Sequence, residues 1–229
     1  GTSSFPLRLW DISSGQCSRL FDGHERAAVC VAFSPDGKLA LSGGYGNTSR
    51  LWDVASGECL RVLKEFEHSA AAVHAVTFSP DGCSALLSSG AIVQSFEISN
   101  GRCTWTSEPC SGCIYSVAYS PDGRLVLSGA ERDYANKDST STLRLWEADS
   151  GRCLRTFGGF DRPVTCVAFS PDGRRVVSAS SGEVLFSQII TVWDASSGRC
   201  LRTIEAGRDT VYLNAMTLSP DGRMALTGG

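Results

Sequence analysis

The string Ser-Pro-Asp-Gly occurs five times, at Ser34–Gly37, Ser79–Gly82, Ser120–Gly123, Ser170–Gly173 and Ser219–Gly222, at intervals of 41 to 50 residues. Self-similarity at that period means one supersecondary unit repeated along the chain, so the fold must be an array. A second string keeps the same register: LWDISSGQC from Leu9, LWDVASGEC from Leu51, SFEISNGRC from Ser95, LWEADSGRC from Leu145 and VWDASSGRC from Val192. Two markers in step define a single repeat.

Between the markers the text reads as short alternating strands. VCVAFS precedes the first Ser-Pro-Asp-Gly and KLALSG follows it; RLVLSG, LRLW, CLRVL and CLRTF fill the matching places in other copies. This predicts four strands per repeat, with few helical signals anywhere. The turns have physical reasons. Pro presets φ at the second position of the first turn, Asp tolerates the third, and Gly accepts the left-handed conformation that closes it. The Ser-Gly or Asn-Gly pair before each Cys serves the last two strands in the same way. Four-stranded sheets too small to bury themselves are stable when stacked radially, as propeller blades are.

These residues resemble the WD-repeat (WD40) β-propeller family along essentially the whole chain. The family's Gly-His opening is at Gly23-His24, and its closing Trp-Asp is at Trp10-Asp11, Trp52-Asp53 and Trp193-Asp194. The implied fold is all-β, a WD40-type propeller of four-stranded antiparallel blades. The resemblance also implies a bracing network of His, Ser or Thr, Asp and Trp in each blade. His24, Ser42 and Trp52 supply it in the first whole repeat, with Gly46 where the Asp would stand. His68 and Ser88 supply part of it in the second, where Phe96-Glu97 replaces Trp-Asp. Ser128 and Trp146 remain in the third, with Cys110 near the His position. Phe160 stands beside Ser178 and Trp193 in the fourth, and Arg208 takes the corresponding place in the fifth.

Five repeat equivalents result, with approximate blades at 22–65, 66–109, 110–158, 159–205, and 206–229 joined to 1–21. The last residues supply a first and second strand and the first residues a third and fourth, so the two ends are complementary halves of one blade. Their pairing would close a five-bladed ring and give the opening strand its neighbour. The chain lacks an initiator Met, and the resembled family favours more blades, so a window from a longer array is the other expectation. Two chains sharing blades is a third.

Composition narrows the function. Hydrophobic residues make up 42% and charged residues 20%, ordinary for a globular domain. The net charge of −3, from 21 basic and 24 acidic residues, lacks the basic excess of a nucleic-acid binder. No apolar run approaches the roughly 18 residues of a spanning helix, and no membrane association is expected. Of the ten Cys, Cys17, Cys59, Cys103, Cys153 and Cys200 share one fourth-strand position, about a blade apart and too far to bridge. Cys30 and Cys166 share a first-strand position that suits a small packed residue. Reduced thiols suggest a cytoplasmic setting. Only Cys110 and Cys113 form a local CxxC, with no second pair to complete a metal site. No catalytic string such as G-x-S-x-G, H-E-x-x-H or a P-loop is present, and His74 in a first strand reads as a core or channel-lining residue. An enzyme is not expected, nor a cofactor or metal.

The remaining signal is loop length. Ala130–Thr142 and Ser181–Gln188 extend the connection between second and third strands in adjacent repeats. Long loops on a rigid scaffold are usual binding places. Tyr134 and Phe186 are candidate anchors, Glu131, Arg132, Lys137, Asp138 and Glu183 a polar rim, and Arg162 and Arg208 lie in interblade loops at the same end. The resemblance implies a noncatalytic protein-interaction scaffold that presents these loops to a protein or peptide, with attached domains in a longer chain. The alternative it implies is a ligand-sensing module that regulates an attached NTPase or kinase.

Overall fold

The computed structural model describes residues 6–46, 48–64, 72–110, 112–132, 140–160, 162–181, 188–206 and 213–228. All regular structure among them is β. Six antiparallel sheets follow one another along the chain, each hydrogen-bonded in chain order. The first is a hairpin of β1 (Leu7–Trp10) and β2 (Cys17–Phe21). Four whole sheets come next: β3 (Ala28–Phe33), β4 (Leu39–Gly44), β5 (Ser49–Asp53) and β6 (Cys59–Lys64); then β7 (Val73–Phe78), β8 (Ser84–Ser89), β9 (Ile92–Glu97) and β10 (Cys103–Thr106). The third whole sheet is β11 (Ile114–Tyr119), β12 (Leu125–Ala130), β13 (Ser141–Glu147) and β14 (Cys153–Phe160), and the fourth is β15 (Val164–Phe169), β16 (Arg175–Ser181), β17 (Gln188–Asp194) and β18 (Cys200–Ala206). A hairpin of β19 (Ala215–Leu218) and β20 (Ala225–Gly228) ends the series.

The repeated strings make the turns as their residue types require. All five Ser-Pro-Asp-Gly glycines have φ between 68° and 73°. Each Asp carboxylate accepts its own turn's Ser hydroxyl, as Asp36 does from Ser34 at 2.7 Å, and the backbone N–H two residues on, Lys38 at 3.1 Å. The same Ser hydroxyl accepts from the N–H that opens the second strand, Leu39 in the first copy at 2.9 Å. Asp36, Asp81, Asp122, Asp172 and Asp221 are held below the usual carboxylate range by these bonds, the Ser hydroxyl first. Their chemistry is spent on the hairpin.

The cores lie between sheets. The first strands of the second, third and fourth whole sheets lay their apolar faces on the sheet before them. Val73, Val76 and Phe78 of β7 thus pack with Leu41, Leu51 and Leu63, and Val164, Val167 and Phe169 of β15 pack with Leu127, Leu145 and Phe157. Each such side chain contributes roughly 1.5–3 kcal/mol when fully buried. At Gly129 on β12 an added Cβ would lie 2.8 Å from the Val164 and Val167 methyls, so the close approach of neighbouring sheets needs a residue without one.

Among the described residues hydrogen bonding joins β1 only to β2 and β20 only to β19, so the expected pairing of the two terminal halves is not detected there.

Candidate protein-interaction face

In every whole sheet the antiparallel register puts the second-to-third connection and the links to neighbouring sheets at one end, opposite the Ser-Pro-Asp-Gly turns. Val164 pairs with Ser180, Ser181 with Gln188, and Gln188 with Ala206, so the segments before β15, between β16 and β17, and after β18 all leave that end. Ile114, Ala130 and Thr142 line up likewise in the preceding sheet. Both long connections noted in the sequence thus start from one face.

Glu131 and Arg132 stand where β12 leaves its sheet. The Glu131 N–H donates to the Cys113 carbonyl at 3.0 Å, which ties the base of this connection to the link entering β11. Its side chain turns to the same place: Tyr115 Oη donates to Glu131 Oε2 at 2.9 Å. The Tyr115 ring meets His74 edge-on, with centroids 5.2 Å apart. Three half-buried polar groups from β7, β11 and the end of β12 therefore converge. Burial lowers the His74 pKa against the opposing pull of the Glu131 carboxylate, so the ring is neutral near pH 7. The Cys113 thiol also hydrogen-bonds the Glu131 side chain, so the carboxylate is anchored from both β11 and the link that enters it.

Arg162 lies in the link between β14 and β15, half-buried beside a cleft of about 310 Å³ that Phe160, Ile189, Thr191 and Thr203 also line. Glu131, Arg132 and Arg162 thus share the loop end of neighbouring sheets. Tyr134, Lys137, Asp138, Glu183, Phe186 and Arg208 lie outside the described residues.

The bracing residues are inside the sheets. Trp52 Nε1–H donates to Ser42 Oγ at 2.8 Å, and Ser42 Oγ lies 2.6 Å from His24 Nε2. Thr48 Oγ1 stands 3.4 Å from His24 Nδ1, where the Asp of the resembled pattern was expected and Gly46 was read. The arrangement that satisfies all of them has Ser42 donating to Nε2 and Nδ1–H donating to Thr48, which makes the imidazole neutral. Burial first, and the Arg50 charge second, push its pKa down in agreement.

The other sheets keep less of this network. Trp146 donates to Ser128 at 2.9 Å and Trp193 to Ser178 at 3.0 Å. Cys110 takes the imidazole's place beside Ser128, and the buried Thr142 hydroxyl then has no partner among the described residues. Phe160 fills the equivalent space against the Trp193 ring. Ser88 accepts from the Ala75 N–H at 2.9 Å, and His68 lies outside the described residues. All ten cysteines are free, and burial raises the thiol pKa of Cys30, Cys110, Cys113 and Cys166, which keeps them protonated.

Sequence reading missed the pairing of His74 and Tyr115 with Glu131. The signal was available: His74 and Tyr115 stand five residues before successive Ser-Pro-Asp-Gly turns, each the second residue of its sheet's first strand.

The profile of the family described as "WD domain, G-beta repeat" matches residues 15–53, 101–147 and 151–194. The chain belongs to the WD-repeat family. WD-repeat domains are typical of protein–protein interaction scaffolds and bind proteins or peptides. The chain is similar to the nuclear distribution protein PAC1 of Arthroderma otae, 29% identical over 156 residues, which cover 64% of this chain and 32% of that protein. The PAC1 proteins of Arthroderma benhamiae and Trichophyton verrucosum are each 29% identical over 150 residues, or 61% of this chain and 31% of theirs. The WD-repeat chain thus spans about a third of the length of the curated relatives it matches.

Proposed function

We propose that this chain is a noncatalytic interaction scaffold whose loop end receives a peptide or protein segment, in a cytoplasmic setting suited to ten free thiols. The observation that carries the reading is the Glu131 carboxylate, held at that end by Tyr115 and the Cys113 backbone while rooting the longest connection of the array. A rigid sheet end that fixes a charged group beneath a long loop gives a partner both an orienting contact and an adaptable one. Glu131 suits a basic side chain of the partner; Arg132 and Arg162 suit acidic ones. Tyr134 and Phe186, by their place in the two long connections, supply apolar anchors, with Lys137, Asp138, Glu183 and Arg208 around them.

The test is affinity capture with wild type, Glu131→Ala, and the double variant Tyr134→Ala/Phe186→Ala, followed by titration of the captured partner. The reading expects a loss of tenfold or more in affinity for the double variant, with unchanged circular dichroism. Wild-type affinity in both variants would contradict it.

A further inference from the structure

Two residues before each closing Trp, or the Phe that replaces it, the third strand carries Arg8, Arg50, Gln94 and Arg144, but Thr191 in the fourth whole sheet. The register supports the equivalence: Arg50 pairs with Val62, Gln94 with Thr106, Arg144 with Thr156 and Thr191 with Thr203, each three residues after the fourth-strand Cys. In three whole sheets a long polar side chain thus fills the space between its own fourth strand and the link from the preceding sheet. Arg50 Nη1 donates to Cys59 Sγ at 3.7 Å and lies against Gly23, where an added Cβ would be 3.6 Å from it. Gln94 Nε2 donates to Thr106 Oγ1 at 3.0 Å. Arg144 Nη1 donates to the Pro109 carbonyl at 3.2 Å, with its Cζ 5.7 Å from the centre of the Trp146 ring.

Thr191 is too short to fill that space, and the fourth whole sheet has the cleft of about 310 Å³ in its place. The walls are the same parts: Gly158 and Phe160 of the link, Thr191, Trp193, Cys200 and Thr203. Trp193 is accordingly half-buried, where Trp52 and Trp146 are 0% exposed. A slot that this fold fills with its own guanidinium in two sheets, and leaves open in a third, has the shape for the same group from outside. It needs no carboxylate. Among the described residues neither Arg50 nor Arg144 makes an ion pair; a thiol, a carbonyl and a Trp ring hold them instead. Arg162 also lines the cleft. Arg26 holds the matching place in the first whole sheet, two residues after His24 as Arg162 is after Phe160, and Arg50 is seated there all the same.

We propose that this cleft receives an arginine side chain of the partner segment, laid against the Trp193 ring. Its N–H groups donate to the Cys200 thiol and to the hydroxyls of Thr191, Thr203 and Ser180, which also line the cleft. A planar guanidinium with five donors in a fixed fork suits several acceptors around a ring better than an ammonium does. The cleft lies between the link entering β15 and the end of β16, where Val164 pairs with Ser180, so the inference deepens the loop-end reading and rests on it. It adds the chemistry of one contact and the sheet that makes it.

The test titrates the full chain with N-acetyl-arginine amide, and with N-acetyl-norleucine amide as the uncharged control, and follows the Trp193 indole N–H signal by nuclear magnetic resonance. Two variants accompany the wild type. Thr191→Arg fills the slot from inside with the side chain that the first and third whole sheets already hold, and Thr191→Val keeps it open. Expected is saturable binding of the arginine amide, about tenfold or more tighter than the norleucine amide, weakened about tenfold or more in Thr191→Arg and kept within about threefold in Thr191→Val. An equal response to the two amides, or none to either, would overturn the proposal. So would loss of binding in both variants or in neither. Arginine-amide binding as expected, beside wild-type partner capture by Tyr134→Ala/Phe186→Ala, supports the slot and counts against the loop-end reading alone.

Discussion

At the scale of single residues, buried polar groups in this protein are worth most where they complete one another. Ser42 Oγ serves both Trp52 and His24 in a fully buried site. Ser42→Ala leaves two buried groups unpaired and should cost about 1–3 kcal/mol, read as a lowered urea midpoint with an unchanged slope. His24 also gives the protein a pH response. Its folded pKa is depressed below the ordinary 6.5, so the unfolded chain binds more protons just below neutrality. The stabilisation is complete above pH 6.5 and is lost as pH falls towards the folded value. His74 acts in the same direction. Urea midpoints should therefore fall between pH 7.5 and pH 5.5, and by less in His24→Gln. The Trp and Ser members of this network were legible as repeated letters. Thr48 was not, because its contact depends on how the turn after β4 folds back, and the orphaned Thr142 hydroxyl shows only when Cys110 is seen in the imidazole's place.

At the scale of elements, hairpin chemistry made the strands readable, since Pro, Asp and Gly each have one reason to occupy their places. What the strings did not reveal is that the turns also hold neighbouring sheets together. The glycine before each fourth-strand Cys was read as a conformational requirement alone, yet at Gly151 an added Cβ would lie 2.5 Å from the Trp105 ring. Gly151→Ala therefore carries two costs, the left-handed backbone at φ 68° and a displaced indole whose N–H holds the Ala148 carbonyl. Gly15→Ala, at φ 70°, carries only the first. The strain is worth about 1–2 kcal/mol in each. Gly151→Ala should lower the urea midpoint clearly more than Gly15→Ala does, and equal shifts would show that the Trp105 contact with this turn contributes nothing.

On the scale of the whole molecule, each sheet touches only its neighbours, and the inner sheets are stable because both faces are covered. That much was contained in the repeat period. How many sheets stand side by side, and whether the terminal halves meet, depends on the angle between sheets, a quantity set by packing that no string of letters states. The proposed face was half legible for the same reason: loop lengths marked the end that both long connections leave, while the meeting of His74, Tyr115 and Glu131 required two adjacent sheets in their true positions.

The central claim is that partners dock at the loop end and not at the Ser-Pro-Asp-Gly end, and hydrogen exchange of the chain with its captured partner bound tests it most directly. Slowed exchange should concentrate in 131–140, 161–163 and 182–187 and at the starts of β7 and β11. Protection confined to the turns at 34–37, 79–82, 120–123 and 170–173, with the loop end unchanged, would contradict it.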